Sequence, residues 1–231
     1  MRTLLGRRVI AVIVFWAVTT SLVGALGASA RNPERWYPSR WGADHLAVNW
    51  RFTDSFPGGA VRRRVFAGAR EWNKAKQTMT FDHVEGEPDY EAYSTSVCPK
   101  LEEVEKNGVH WGTVPGGGAY TVMCTFPEGS AGGRAELHSF QIMFGMNTHW
   151  YYGKHKPRFY QEDFWSYATH EFGHAGGRIQ GGDGHGHFPD SREYCRPTPK
   201  AHQSMCQTAP AGTTFDRTIN GLDRYVFGGA Y

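Results

Sequence analysis

Alternation of apolar and polar side chains defines the first predicted element. In "LAVNWRF", Val48, Trp50 and Phe52 face one way and Ala47, Asn49 and Arg51 the other. That is the period of a half-buried strand. "TDSFPGG" then reads as a turn. From about Gly59 to Lys76 the period lengthens, with Val61, Val65, Phe66, Ala69 and Trp72 at helical spacing, so a long amphipathic helix is expected. Arg62, Arg63 and Arg64 lie within it and are read as a solvated helix face. "TMTFDHV" predicts a second strand, and residues 85–107 are acidic and irregular. "VHWGTVPGGGAYTVMCTF" predicts a strand on either side of a Pro-Gly-Gly-Gly turn.

"SFQIMFGMNTHWYYG" predicts a further strand and an aromatic loop that either walls a cleft or packs as ordinary core. "QEDFWSYATHEFGHAGG" predicts the second long helix. Gln161, Glu162 and Asp163 sit at its positive end and Gly176-Gly177 provides its exit. The last fifty or so residues read as loops until "FDRTINGLDRYVFGGAY", a closing helix. No repeat or low-complexity linker interrupts the chain, so residues 31–231 are expected to form one domain.

Composition changes the picture at the N-terminus. Arg2, Arg7 and Arg8 flank an apolar run from Val9 to about Val23, and "GALGASA" ends at Ala30. This is the layout of a signal peptide over residues 1–30, and it implies secretion. The run is shorter than the roughly 20 apolar residues of a membrane span. The chain has 25 basic and 22 acidic residues, and three of the basic ones precede Ala30, which leaves 22 against 22. A formally neutral chain removes the case for nucleic acid or an anionic membrane as partner. All four cysteines lie after Ala30. An even number in an oxidising compartment favours two disulfides, and of the three pairings the sequence-local one, Cys98–Cys124 with Cys195–Cys206, is expected.

The chemistry concentrates in "THEFGHAGGRIQGGDGHGHFPD". His170, Glu171 and His174 form H-E-x-x-H on the second helix. Residues four apart are about 40° apart around the axis and one turn apart along it, so both imidazoles can bind one ion. The Glu171 carboxylate then reaches a water on that ion. Zinc held by three protein ligands keeps a place for such a water and brings its pKa to about 7. Glu171 is the expected general base, and a protein or peptide is the expected substrate. His110, His138, His149, His155 and His202 are read as surface or hydrogen-bonded histidines without a role. No D-x-D-x-D-G calcium loop is present.

"HEFGHAGG" resembles the zinc signature of the metzincins, and "HEFGHA" is especially like the matrixins. Their motif, H-E-x-x-H-x-x-G-x-x-H or D, turns at a Gly and returns a third ligand. Gly177 matches that Gly. "HQSMCQ" places Met205 where the family has the Met-turn beneath its zinc, and "INGLDRYVFGG" resembles the final matrixin helix. The two cysteines around Met205 are also like those of small secreted bacterial members. The resemblance implies an α/β, metzincin-like zincin fold. It has a twisted mixed β-sheet, two long helices, and a short irregular C-terminal subdomain with Met-turn and final helix. By the same analogy "SFQIMFG" is the strand along the cleft edge that pairs with an extended peptide.

This chain departs from the motif at the third ligand, where Gln180 stands ten residues after His170. Gln is a poor zinc ligand, and Gly181, Gly182, Gly184 and Gly186 suggest a longer detour. Asp183, His185 and His187 are the candidates. His187 is favoured because Pro189 fixes the exit of its "GHF" segment, which also resembles the returning segment of the secreted bacterial relatives. His185 is second and Asp183 third. The expectation is a secreted, monomeric zinc endopeptidase. The rivals are a non-catalytic exported zinc-binding protein and a cell-surface interaction module. Neither rival needs a carboxylate at Glu171.

Overall fold

In the computed structural model the described residues are 39–42, 47–75, 79–85, 107–125, 135–177, 187–188, 195, 202–206 and 211–228. Sheet structure begins earlier than the hydrophobic pattern indicates. β1 (Ser39–Trp41) lies in the Trp/Pro-rich opening and pairs in parallel with residues 135–137. β2 (Ala47–Phe52) follows the predicted alternation, with Val48 and Trp50 buried and Ala47 and Asn49 exposed. α1 (Ala60–Asn73) carries the chain to β3 (Thr80–His83), which lies parallel to β2. Parallel neighbours need such a crossover.

β4 (Gly108–Gly112) and β5 (Ala119–Thr125) flank the glycine turn, in which Gly116, Gly117 and Gly118 all have positive φ. β6 (Ala135–Gly145) is longer than the pattern suggests, at 11 residues. It pairs in parallel with β1 and β4 and antiparallel with β5. The sheet is therefore mixed and mostly parallel, running β3-β2-β4-β6-β5 with β1 alongside the start of β6. This corrects one expectation. "SFQIMFG" belongs to β6, which has strands on both sides, so it cannot pair with a peptide. Among the described residues the sheet ends in β3 on one side and in β5 on the other.

β7 (Trp150–Tyr151) and β8 (Glu162–Asp163) form a small parallel pair. α2 (Phe164–Ala175) follows at once. The helix thus starts later than predicted. Glu162 lies outside it, and Asp163 is its N-cap, accepting from Ser166 N at 3.0 Å and Ser166 Oγ at 2.8 Å. A cap of this kind contributes about 1 kcal/mol. Asp163 also takes a buried, two-pronged ion pair from Arg217, Nε to Oδ2 at 2.9 Å and Nη2 to Oδ1 at 2.6 Å. Arg217 further donates to the carbonyls of Gly153 and His155. One guanidinium therefore ties the loop after β7 to the start of α2. At the other end Gly177 turns at φ 140°, a backbone state that suits glycine.

The closing segment divides into a 3-10 turn (Phe215–Arg217) and α3 (Gly221–Gly228). The arginine run of α1 is not a single solvated face. Arg63 is exposed, whereas Arg62 lies 4.8 Å over the Phe52 ring and Arg64 donates to Tyr152 O at 2.9 Å. Trp150 is core, packed edge-on to Phe164 and Tyr167, so that part of the aromatic loop builds the interior. Among the described residues no helix is long and apolar enough to cross a membrane.

α2 is positioned by directed hydrogen bonds from two other elements. Trp72 of α1 donates its indole N–H to Thr169 O at 2.6 Å, and Trp41 of β1 donates to Ala175 O at 2.8 Å. Gly68 permits the close crossing of the two helices. A Cβ there would stand 2.6 Å from the Ala168 carbonyl carbon and 2.7 Å from Thr169 N. Those are backbone atoms that cannot swing aside. Gly68→Ala is expected to destabilise the protein by about 1–3 kcal/mol, the usual cost of overpacking. Gly58→Ala has nothing within 4 Å and should stay within about 0.5 kcal/mol. Urea midpoints of the two variants check this.

Candidate metal centre

α2 carries His170 and His174 one turn apart on the face towards β5 and the C-terminal segment, as four-residue spacing requires. His187 arrives from the returning chain. Its neighbour Phe188 is buried, donates its backbone N–H to Met205 O at 2.9 Å, and bridges to Cys206. The three Nε2 atoms converge. His170 to His174 is 3.0 Å, His170 to His187 is 3.1 Å, and His174 to His187 is 3.2 Å. Among the described residues this is the group of three or more potential ligands able to hold one ion.

The donor set fits zinc. Bonds of about 2.0–2.1 Å at tetrahedral angles put ligand nitrogens about 3.3 Å apart, close to the observed triangle. His170 Nδ1–H donates to Ser204 O at 2.6 Å, which leaves Nε2 as the lone-pair nitrogen of the neutral ring. A backbone carbonyl behind a ligating imidazole is the usual way such a ring is oriented. His185 and Asp183 lie outside the described residues, and so does Gln180.

Met205 is fully buried below the centre. Gly173 gives it room, since a Cβ there would stand 2.1 Å from the Met205 sulfur. The turn around Met205 is held from α3. Asp223 accepts from Ser204 N at 2.8 Å and Asn220 N at 3.0 Å, and Met205 N also donates to it. Burial pushes the Asp223 carboxyl up to about 6 against those three donors. The Cys195–Cys206 disulfide closes the same turn. Cys124 is also disulfide-bonded, and Cys98, its expected partner, lies outside the described residues.

Glu171 is 3% exposed. Burial raises its pKa to about 7, opposed by the Thr121 hydroxyl, which donates to Oε2 at 2.6 Å. Thr121 belongs to β5, so the strand that lines the cleft also orients the carboxylate. The sequence signals nothing of this contact, nor of the parts played by Asp223 and Arg217, and it offers Asp163 only as an acidic residue at the start of the helix. The cleft has a volume of about 620 Å³ and is lined by β5 and the turn before it, by α2, and by His170, His174 and His187. Among the described residues the other histidines do not join the centre. His110 is buried against Gln141 Oε1 at 2.6 Å, His138 and His202 are buried, and His149 and His155 are exposed.

No family model matches the chain, and no curated protein matches it. Among solved structures it is similar to that of myroilysin, at 16% identity and a TM-score of 0.40, over 83% of this chain and 95% of that one. A likeness at that level leaves the chemistry to be read from the geometry of the centre itself.

The two alternative histidines separate cleanly in zinc analysis. His187→Ala should lose stoichiometric zinc on dialysis against a weak chelator, and His185→Ala should keep it. Full zinc retention by His187→Ala would place the third ligand elsewhere.

Proposed function

We propose that the protein is a secreted zinc endopeptidase of the metzincin type, nearest to the matrixin-like bacterial enzymes. The observation that carries this reading is the pairing of a three-imidazole triangle with a buried carboxylate, both opening into one cleft. His170, His174 and His187 would hold the ion. Bound there, zinc would supply an acidified water and polarise the scissile carbonyl.

The rest is done by side chains of this chain. Glu171 takes the proton of the attacking water and passes it to the leaving amine. Its raised proton affinity suits a group that must both accept and release a proton near neutral pH. Thr121 holds one carboxylate oxygen, so the other is presented in a fixed direction. The outer edge of β5 would offer backbone groups to an extended peptide, with the scissile bond lying across the three histidines.

The rival, an exported protein that binds zinc without catalysis, has no use for a buried carboxylate at Glu171 held by a strand hydroxyl. Glu171→Ala is expected to retain zinc while kcat on a generic peptide substrate falls by about 10²–10⁴-fold. A strong chelator should abolish wild-type hydrolysis. Zinc content by atomic absorption alongside peptide cleavage by mass spectrometry checks both. Robust hydrolysis by Glu171→Ala would remove it as the base, and a zinc-loaded wild type that cuts no peptide would favour the non-catalytic reading.

A further inference from the structure

The cleft is chemically uneven. Towards the start of α2 its lining includes Glu162, Ser166, Tyr167 and Asp216. Tyr167 and Ser166 lie three and four residues before His170 on α2, about 5 Å along the axis. A substrate side chain beside the scissile bond can therefore enter this end. Glu162 is half-buried and accepts a hydrogen bond from Tyr167. Among the described residues no lysine or arginine lines the cleft. Arg217, next in the chain to Asp216, is committed to Asp163 and to the loop carbonyls.

Asp216 is the unusual member. It is 2% exposed, yet its Oδ1 accepts no hydrogen bond among the described residues. His202 Nε2 lies 3.3 Å away and is a counter-ion only when protonated. Burial first, then the nearby Asp223 and Asp163, push the Asp216 carboxyl well above its ordinary pKa. A buried carboxylate oxygen faced only by a histidine that must be protonated to pair with it is costly, and an ammonium or guanidinium entering the cleft would supply both the charge and the donor.

We propose that this end of the cleft is a specificity pocket for a lysine or arginine side chain of the substrate, flanking the scissile bond. Asp216 is its deep acceptor and Glu162 its outer one. The inference rests on the peptidase reading above and adds the substrate class to it.

The test uses the zinc-loaded full chain and a random-sequence peptide library, with cut sites read by mass spectrometry. A pair of peptides differing only by lysine or norleucine at the enriched position completes it. Lysine and arginine should be enriched at one position flanking the cut, with kcat/KM for the lysine peptide about tenfold or more above norleucine, as for a charged hydrogen bond. Asp216→Asn and Glu162→Gln should each shrink that ratio. Cleavage with no basic enrichment would overturn the pocket while leaving the peptidase intact. So would an unchanged ratio in both folded variants, in which case Asp216 only partners His202 and its loss lowers Tm alone. If Asp216→Asn does not fold, the library profile and Glu162→Gln still decide. Zinc-loaded wild type that cuts no peptide at all defeats the peptidase reading, and this proposal with it.

Discussion

Three imidazole nitrogens within 3.2 Å of one another, two carried by a helix and the third standing 13 residues after His174, need a common support. The turn at residues 203–206 provides it. Ser204 O receives the His170 ring, Met205 O receives the backbone of Phe188 beside His187, and the Met205 side chain fills the space under Gly173. A single short turn thereby fixes both parts of the triangle. It is itself fixed by the Asp223 carboxylate and by the Cys195–Cys206 bridge. The hydrogen bonds among these supports are directed, so a shift in the turn would be felt at His170 and beside His187. Such rigidity is what a first coordination shell requires of its surroundings.

The same logic extends outward to α2. Its height and rotation are set by two indole N–H bonds from different elements, by the tight approach at Gly68, and by the Asp163–Arg217 pair at its start. None of these touches the cleft directly. Together they place His170 and Glu171 against β5, where Thr121 meets the carboxylate. The fold therefore delivers the chemistry through packing of one helix, and β5 serves both as wall of the cleft and as orienting group.

Much of this was legible in the residues. The spacing of His170, Glu171 and His174 states a shared helical face by itself, and the alternation in β2 and the periodicity of α1 appear where the pattern puts them. The Cys195–Cys206 pairing followed from proximity along the chain. What escaped has a physical reason. An acidic run ahead of a helix looks the same whether it occupies the first turn or caps it, so Glu162 and Asp163 were placed inside α2. β1 is three residues in a Trp/Pro-rich stretch, too short for a period. The position of β6 inside the sheet is a property of its neighbours, and its own pattern carries no trace of it. Arg217 and Asp163 stand 54 residues apart, and Thr121 and Glu171 stand 50 apart. Such pairs become visible only when the chain is folded.

The central claim is that these three histidines form one coordination shell. Diffraction from crystals of the protein loaded with zinc, with data collected at the zinc absorption edge, tests it most directly. The account predicts one ion with Nε2 of His170, His174 and His187 each about 2.0–2.1 Å away. An ion held at another place, or held by His170 and His174 with His187 turned away, would contradict it.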